Sequence, residues 1–318
     1  MLELSARCDQ RCAHCAIWTG GAAAAGPALG LAERLRVVDD ALAAGVREAL
    51  LTGGEPLLSP DVWPVASRLR ARGVRVMLST TGMALERFAG EVARLVDEVY
   101  VSLDGADAAT HDGLRGVASF TRVAAGIAAL RRYARRPRVV ARSVVQAGNV
   151  DQLAEIVTAA RRLGADHVSF LPVDAFSDAF GGRPESRRAL VPSDEQVRGL
   201  EAAIDRLEAD GVCRDGFVLE SADKLRRLAR HLAASGGRVP FERPRCDAPR
   251  WSAVVTVDGR LKPCFFHAPV GDVREGVARG HRSWEYRAAL RRIEAPNETC
   301  ARCVCPKWRG SGWRQVFR

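Results

Sequence analysis

Three cysteines near the amino terminus, Cys8, Cys12 and Cys15, are the residues of this chain best suited to chemistry. Three and then two residues separate them, so one short loop can present all three thiols. Clustered thiolates are typical of iron–sulfur or zinc sites. Structural zinc usually has four protein ligands, and the nearest further donor, His14, lies between two of the cysteines. The spacing therefore favours three corners of an iron–sulfur cube, with zinc or a redox thiol cluster as the alternatives.

A second group of cysteines lies near the carboxyl terminus, and one cysteine stands apart from both groups. The second group is Cys246, Cys264, Cys300, Cys303 and Cys305, and the isolated residue is Cys213. Nine cysteines arranged in this way favour metal sites in a reducing cytosol over a disulfide framework. The sequence has no secretory signal, and no stretch approaches the roughly 20 apolar residues of a membrane span. We therefore expect a cytoplasmic protein without membrane contact.

Apolar runs with β propensity alternate with helical patterns, which is typical of β–α units around a parallel sheet. The predicted strands cover residues 2–5, 48–52, 74–79, 98–102, 139–146 and 167–172. The predicted helices cover residues 32–44, 60–72, 85–95, 119–134, 150–163 and 194–210, and the last two start at the capping pairs Asn149–Gln152 and Ser193–Gln196. Parallel barrels place their chemistry at the carboxyl ends of the strands, where the motifs of this chain also lie.

Four motifs, in chain order, resemble the radical S-adenosylmethionine (radical SAM) superfamily. The first cysteine group is similar to its C-x3-C-x-φ-C pattern, with His14 in the usually aromatic position φ. The others are Gly53-Gly54-Glu55-Pro56, similar to the GGEP motif; Ser79-Thr80-Thr81-Gly82, with Thr81 in place of the usual Asn; and Ser102-Leu103-Asp104-Gly105. The resemblance covers about the first 200 residues and implies an α/β fold with an open, six-stranded partial (β/α)6 parallel barrel.

By this resemblance, the three thiolates hold a [4Fe–4S] cluster whose unique iron binds S-adenosylmethionine. An external donor of the flavodoxin or ferredoxin type supplies an electron, and the resulting 5′-deoxyadenosyl radical removes hydrogen from a substrate carbon. The residues placed near S-adenosylmethionine are His14, Gly53, Gly54, Glu55, Ser79, Thr81, Ser102, Arg142 and Leu171. Arg142 would meet the methionine carboxylate, and the two glycines would let backbone groups approach the methionine amino group. An ordinary surface position for Arg142 and loop filling for His14 are the alternatives.

The second cysteine group predicts a separate metal site. Asp258-Gly259 between two β-type runs indicates a hairpin near Cys246 and Cys264, and Cys300 and Cys303 follow as C-x2-C. These four form the predicted ligand set, while Cys305 either replaces Cys303 or stays free. The pattern resembles the auxiliary-cluster domains called SPASM and Twitch, closer to the one-cluster Twitch form, which implies one auxiliary [4Fe–4S] cluster. A structural zinc site is the alternative.

These assignments divide the chain into three parts. They are a radical SAM barrel over residues 1–210, a helical bridge over 211–245, and an auxiliary-cluster domain with a β-hairpin and helix over 246–318. Residues 174–192 form either a substrate lid over the barrel or a solvated connection. At the start of this segment, Asp174 is a candidate catalytic residue that accepts a substrate proton, and a loop-capping role is the alternative.

The combined features predict a radical SAM enzyme that modifies a peptide or protein. Oxidation of a small natural-product intermediate such as a carbinol is the alternative, and the absence of a domain before the first strand weakens the peptide interpretation. A non-catalytic iron–sulfur or zinc scaffold is an alternative of another class, which the intact motif at Gly53-Gly54 disfavours. The net charge of +10 is not accompanied by interleaved aromatic residues, so we expect no nucleic-acid partner.

Overall fold

Parallel strands alternate with helices through the first part of the chain. The computed structural model describes residues 1–20, 26–182 and 184–307, so residue 183 of the predicted loop and residues 308–318 of the predicted auxiliary domain lie outside the described residues. The six parallel strands are β1 (Leu2–Ser5), β2 (Glu48–Gly53), β3 (Arg75–Thr80), β4 (Glu98–Ser102), β5 (Arg138–Val145) and β6 (His167–Pro172). Each strand pairs in parallel with the next one in the chain. This confirms the predicted α/β class with a six-stranded parallel sheet.

Helices connect these strands, two more helices follow β6, and together they pack on the outer face of the sheet. They are α1 (Leu31–Ala43), α2 (Val62–Ala71), α3 (Ala89–Leu95), α4 (Ala108–Arg115), α5 (Phe120–Leu130), α6 (Leu153–Leu163), α7 (Asp194–Ala209) and α8 (Ala222–Ser235). The short helix α4 was not among the predicted helices; it begins at the side-chain cap of Asp107 and ends at Gly116, whose φ is 68°. Within the described ranges, no helix combines the length and the apolar character needed to cross a membrane.

The two predicted capping pairs had different outcomes. Ser193 and Gln196 form the predicted reciprocal cap at the start of α7. The prediction for Asn149 is wrong, because this side chain makes no cap and a short 3₁₀ helix, Val150–Gln152, precedes α6. The Asn149 amide instead donates to the carbonyls of Asp104 at 2.8 Å and Val144 at 3.0 Å. The Oδ1 of Asn149, which a cap would use, accepts from the N–H of Gln146 at 2.8 Å and is therefore not available to the helix.

The two faces of the parallel sheet differ in burial in the second half of β4. In β4, Val99 and Val101 are fully buried beneath the helices, whereas Tyr100 and Ser102 on the opposite face are only partly buried. Side chains of a strand alternate between faces, so the strand register identifies the residues that share the inner face. Ser102 is paired with Arg142 of β5, and Ser79 of β3 is paired with Tyr100. The inner face therefore carries polar side chains near the carboxyl ends of the strands.

The cysteine-rich carboxyl-terminal part extends the same sheet. It contains β7 (Val254–Val255), β8 (Arg260–Lys262), β9 (Gly271–Asp272), α9 (Ala248–Trp251), α10 (Val277–Arg282), α11 (Trp284–Glu294) and α12 (Glu298–Ala301). The predicted hairpin at Asp258-Gly259 is confirmed, since β7 and β8 pair antiparallel and Gly259 has a φ of 88°. Strand β7 also pairs in parallel with β1, which gives the nine-stranded order β6-β5-β4-β3-β2-β1-β7-β8-β9. The second cysteine group is therefore attached directly to the edge of the parallel sheet.

Candidate functional site

The first cysteine loop crosses directly over the glycines at the end of β2. The N–H of Gly54 donates to the carbonyl of Ser5 at 2.7 Å, and the N–H of Glu55 donates to the carbonyl of Arg7 at 2.8 Å. A Cβ on Gly54 would lie 2.4 Å from the Arg7 oxygen, and a Cβ on Gly53, whose φ is 143°, would lie 2.3 Å from the Ser5 oxygen. The structure thus gives both glycines a role that the sequence did not reveal, because they let the backbone before Cys8 approach β2.

The three thiols of this loop lie in a largely buried environment. Cys12 is buried, Cys8 and Cys15 are partly buried, and all three are free thiols. Burial raises the pKa of each thiol, to about 12 for Cys8, so the metal-free thiols hold their protons at neutral pH. A metal centre would have to displace those protons, which couples cluster binding to pH.

The first cysteine loop supplies three thiols that could bind a metal centre. Within residues 1–20, 26–182 and 184–307, no three or more His, Cys, Asp or Glu side chains are grouped as the ligands of one metal ion. An iron–sulfur cube binds each thiolate at a separate iron, so its ligands do not have to meet at a single ion. Three thiols on one loop are a donor set that fits a [4Fe–4S] cluster.

A buried cation that sequence reasoning missed lies beside the cysteine loop. Nη1 of Arg115, at the end of α4, is 3.6 Å from Sγ of Cys12 and donates to Oε1 of Gln10 at 3.2 Å. Nη2 of Arg115 is 2.8 Å from Oδ2 of Asp104, and both side chains are more than nine-tenths buried. A guanidinium so close to the thiol favours the thiolate form that binds iron. The sequence offered no pattern that marks Arg115 as part of the site. In the structure, the following residue Gly116 lies against the cysteine loop, because a Cβ there would be 2.6 Å from the carbonyl oxygen of Arg11.

Glu55 ties the ends of two strands together. Its Oε1 accepts from the N–H of Leu57 and the hydroxyl of Thr80, both at 2.9 Å, and its Oε2 accepts from the N–H of Thr81 at 2.6 Å. Complete burial raises the pKa of Glu55 to about 7, although these three donors favour the carboxylate. Both oxygens are therefore bound to protein groups, and Glu55 supports the site by fixing the ends of β2 and β3.

Thr81 and Ser79 lie at the end of β3 beside the cysteine loop. The Thr81 hydroxyl donates to Oδ1 of Asp9 at 3.0 Å, which links the end of the strand to the residue after Cys8. Thr81 is buried, whereas Ser79 is partly buried on the inner face of the sheet. Of the two predicted cofactor-binding residues, Ser79 thus keeps a side chain on the open inner face, and Thr81 is engaged within the protein.

Ser102, Arg142 and Leu171 form part of the same inner face across three strands. Arg142 is paired in register with Ser102, and its guanidinium lies over the ring of Tyr100 at 4.6 Å from the centroid. Its Nε has no hydrogen-bond partner among the described residues. Leu171 of β6 is paired with Val144, two residues after Arg142. The register therefore places these predicted cofactor-binding residues on one surface.

His14 faces the end of β5 from within the cysteine loop. Its Nδ1 lies 3.2 Å from Nε2 of Gln146, and burial lowers the pKa of His14 to about 4. The ring is therefore neutral at physiological pH and can accept the proton of the Gln146 amide. His14 thus joins the loop to the barrel in addition to the cofactor contact that its motif position predicts.

The segment after β6 lies against the cysteine loop. The N–H of Ala16 donates to the carbonyl of Phe180 at 2.8 Å, and a 3₁₀ helix, Pro184–Leu190, follows. Oδ1 of Asp174 accepts from the N–H groups of Phe176 and Ser177, both at 3.0 Å, and Oδ2 accepts from the Ser177 hydroxyl. Asp174 therefore caps the start of this segment, and its catalytic role stays a prediction.

Four cysteines of the second group line one cavity. Cys246, Cys264, Cys300 and Cys303 surround a cavity of about 280 Å³ together with His267, whose Nε2 is 3.5 Å from Sγ of Cys300. Cys305 is not among the residues that line it. A hydrogen bond between the Cys303 and Cys305 thiols raises the pKa of Cys303, the first of several causes. The cavity thus brings together the four cysteines predicted as ligands, and Cys305 lies in hydrogen-bond contact with one of them, Cys303.

Acid should destabilise the barrel through His111. This fully buried residue of α4 accepts through Nδ1 from the N–H of Asp104 at 3.1 Å, and burial lowers the pKa of His111 to about 4. The unfolded pKa is about 6.5, so the stabilisation is complete above that pH and is lost as the pH falls towards 4. We expect the wild type to lose about 2 kcal/mol more free energy of unfolding than His111→Asn between pH 7 and pH 4.5. Urea denaturation at both pH values measures this difference, and equal losses would contradict it.

Comparison with known proteins gives the same assignment as the motifs. The chain is 27% identical over 316 residues to the AdoMet-dependent heme synthase of Methanosarcina barkeri, covering 95% of this chain and 86% of the relative. It is 28% identical over 284 residues to the PqqA peptide cyclase of Methylorubrum extorquens, covering 83% of this chain and 65% of that protein. The structure of anSMEcpe with bound AdoMet and Cp18Cys peptide has a TM-score of 0.62 at 15% identity, covering 95% of this chain and 86% of that one, which shows a shared fold.

The family assignment rests on more than half of the chain. The sequence profile of the Radical SAM superfamily matches residues 2–173, a range that includes all three cysteines of the first group and strands β1 to β6. The cofactors implied by this match are a [4Fe–4S] cluster and S-adenosylmethionine, as the resemblance of the motifs predicted. The chain therefore belongs to the radical SAM superfamily and is an enzyme.

Proposed function

We propose that this radical SAM enzyme modifies a peptide or protein and uses a second iron–sulfur cluster in doing so. The observation that carries this proposal is the cavity lined by Cys246, Cys264, Cys300 and Cys303 on the extension of the barrel sheet. A sequence relative over 83% of this chain is a peptide cyclase, and anSMEcpe, which shares the fold, was solved with a bound peptide. Both support a peptide or protein as the substrate.

Cys8, Cys12 and Cys15 hold the catalytic [4Fe–4S] cluster in this proposal. When bound, the cluster supplies the electron that cleaves S-adenosylmethionine, and the electron itself comes from an external flavodoxin- or ferredoxin-type donor. Arg115 stabilises the thiolate of Cys12 across 3.6 Å. The glycines at the end of β2 and the carboxylate of Glu55 keep the loop in contact with the strand ends. The protein's part is thus to hold the cysteine loop and the strand ends in one arrangement.

The inner face of the sheet binds S-adenosylmethionine in this proposal. Arg142 forms a charge-assisted pair with the methionine carboxylate, and its guanidinium is already oriented by the ring of Tyr100 at 4.6 Å. Ser79 and Ser102 contact the ribose or methionine from the neighbouring strands, which the strand register supports. His14 and the backbone at Leu171 form the walls of the adenine site. A bidentate Arg contact fixes the orientation of the cofactor as well as its affinity.

The second site holds one auxiliary [4Fe–4S] cluster. Its four thiols come from three separate stretches of the described chain, so ligand binding also joins α9, β8 and α12. Oδ1 of Asn297 accepts from the N–H of Cys300 at 2.8 Å and so caps the start of α12. This cap holds the turn that carries Cys300 and Cys303. With four protein thiolates, such a cluster has no open iron, which suits electron transfer away from a substrate radical. In this proposal Cys305, whose thiol is hydrogen-bonded to that of Cys303, lies beside the ligand set and is not part of it.

A size and protease test decides the substrate class. The enzyme, reconstituted anaerobically with reductant and S-adenosylmethionine, is mixed with the macromolecular or the small-molecule fraction of a size-separated extract of the organism that encodes it. We expect a macromolecular fraction to increase 5′-deoxyadenosine formation at least tenfold over the substrate-free rate, because a matching substrate positions a carbon for hydrogen removal. Prior digestion of the same fraction with a protease, then removed, should abolish the increase.

The alternative substrate gives a different result in this assay. If the stimulation resides in the small-molecule fraction and survives digestion, the enzyme acts on a small intermediate and the peptide proposal is wrong. A boiled protease provides the matched control for inhibitors carried over from the digestion. Mass spectrometry of the stimulating fraction, before and after turnover with reductant, then identifies the altered molecule by its mass change.

A further inference from the structure

Arg187, in the 3₁₀ helix Pro184–Leu190, is an almost fully buried cation. Only 1% of its surface is exposed. Nη1 donates to the carbonyl of Gly181 at 2.8 Å, Nη2 donates to the carbonyl of Ser177, and Nε has no hydrogen-bond partner among the described residues. Both of these partners are neutral oxygens. The buried positive charge is therefore not balanced by either of the groups that bind it.

Such a charge is unfavourable unless something else compensates it. A buried, unpaired ion costs several kcal/mol even after the surroundings relax, and carbonyl hydrogen bonds recover only part of that cost. Arg115 shows the usual solution in the same region, because a carboxylate oxygen of Asp104 lies 2.8 Å from its guanidinium. The groups that accept from Arg187 are both carbonyls, so an anion held nearby would offset its charge.

The segment that Arg187 holds lies on the first cysteine loop. The carbonyl of Phe180 accepts from the N–H of Ala16 at 2.8 Å, and a Cβ on Gly182 would lie 2.7 Å from Cβ of Ala16. Ala16 directly follows Cys15 in the chain. The guanidinium of Arg187 binds the carbonyl of Gly181, the residue before Gly182, so its positive charge lies beside this loop. Arg187 is thus placed to compensate a negative charge held by the three cysteines.

The charge that arises there is that of the cluster and its thiolates. Three thiolates around the oxidised [4Fe–4S]²⁺ core carry one net negative charge, and the uptake of one electron from the donor makes it two, with no bond broken. A nearby buried cation stabilises the more negative state more strongly, because Coulomb energy scales with the product of the charges and is large where water is excluded.

We propose that Arg187 is a positioning residue that stabilises the reduced [4Fe–4S] cluster of Cys8, Cys12 and Cys15 and thereby raises its reduction potential. The proposal rests on the superfamily assignment and is independent of the peptide substrate proposed above. It also gives the 174–192 segment a function other than a substrate lid, since the segment brings a charge to the cluster.

An anaerobic redox titration monitored by electron paramagnetic resonance tests this proposal without any substrate. The signal that changes on addition of S-adenosylmethionine identifies the cluster of interest, and an auxiliary cluster does not show that change. In Arg187→Met we expect the ratio of reduced to oxidised cluster at the wild-type midpoint to fall at least tenfold, which corresponds to about 59 mV for one electron. Arg188→Met is the matched control, because it removes the same charge from the adjacent, exposed position and should leave the ratio unchanged.

The lysine variant separates charge from structure. Arg187→Lys keeps the positive charge but loses the two hydrogen bonds that Nη1 and Nη2 of the guanidinium donate. We therefore expect the reduction potential of its cluster to be close to that of the wild type. Equal potentials in wild type and Arg187→Met would overturn the proposal. If Arg187→Met does not retain its iron, Arg187→Lys decides: a cluster with a near wild-type potential supports the charge role, whereas loss of the cluster shows that only the carbonyl contacts matter and the proposal is wrong.

Discussion

Replacing Cys8, Cys12 and Cys15 together with alanine is expected to abolish cleavage of S-adenosylmethionine while about four iron atoms remain bound at the second thiol site. The first loop supplies every thiolate of the catalytic cluster, so none of that cluster can form. The second set lines a separate cavity of about 280 Å³ and contains none of these cysteines. Liquid chromatography of 5′-deoxyadenosine measures cleavage, and iron and sulfide analysis of the anaerobically reconstituted protein counts the clusters.

Cys213→Ala is the matched control for this triple variant. Cys213 is a partly buried free thiol outside both groups, so its removal should leave cleavage and iron content at wild-type values. Residual 5′-deoxyadenosine formation in the triple variant would refute the assignment of the first loop. Complete loss of iron with the fold intact by circular dichroism would refute the auxiliary cluster, and zinc in place of iron and sulfide would identify a structural zinc site there.

Gly54→Ala is expected to lower the rate of S-adenosylmethionine cleavage by about 100-fold or more, with partial loss of iron from the first site. The new Cβ would lie 2.4 Å from the oxygen and 2.7 Å from the carbonyl carbon of Arg7. Both are backbone atoms, so the loop must move as a unit and take Cys8 with it. A displacement near 1 Å at a reacting centre can cost about 100-fold in rate. Single-turnover assays with a defined amount of reductant measure the change.

Gly113→Ala provides the matched control for the same substitution. Gly113 lies within α4, and a Cβ at this position would have no neighbouring atom within 4 Å among the described residues, so the methyl group would point into open space. Alanine favours a helix over glycine by roughly 0.5–1 kcal/mol, so this variant should keep its activity and gain a little stability. Wild-type rate and iron content in Gly54→Ala would show that the close backbone approach is not required.

Local patterns in the sequence were sufficient to predict the six parallel strands. The period of two in burial along β4 and the apolar runs of the other strands depend only on neighbouring residues, and these strands were confirmed. The cap formed by Ser193 and Gln196 is equally local and was also confirmed. The thiols of the first loop are separated by a few residues, so their proximity follows from the chain itself.

Features that depend on distant parts of the chain were not predicted. At Asn149 the amide nitrogen binds the carbonyl of Asp104, which is 45 residues away in sequence, and the oxygen accepts from the N–H of Gln146 instead of forming the expected cap. The pairing of β7 with β1 joins Leu2 to Val255, far apart in the chain, whereas the sequence predicted β7 only as one arm of the hairpin at Asp258-Gly259. Such contacts depend on how the whole sheet is assembled, and no local preference reports on them.

The sequence by itself determined the superfamily chemistry, because the three thiols are close together in the chain and the glycine motif is a continuous run. The residues within each of these features stay close to one another in any fold. Only the tertiary structure decided which charges surround those thiols. Arg115 reaches Cys12 from α4, and Arg187 holds the segment after β6 that lies on the cysteine loop. Coulomb interactions act through space and depend on burial. The charges that set the protonation of the thiols are therefore in place only after the rest of the chain has folded around the cysteine loop.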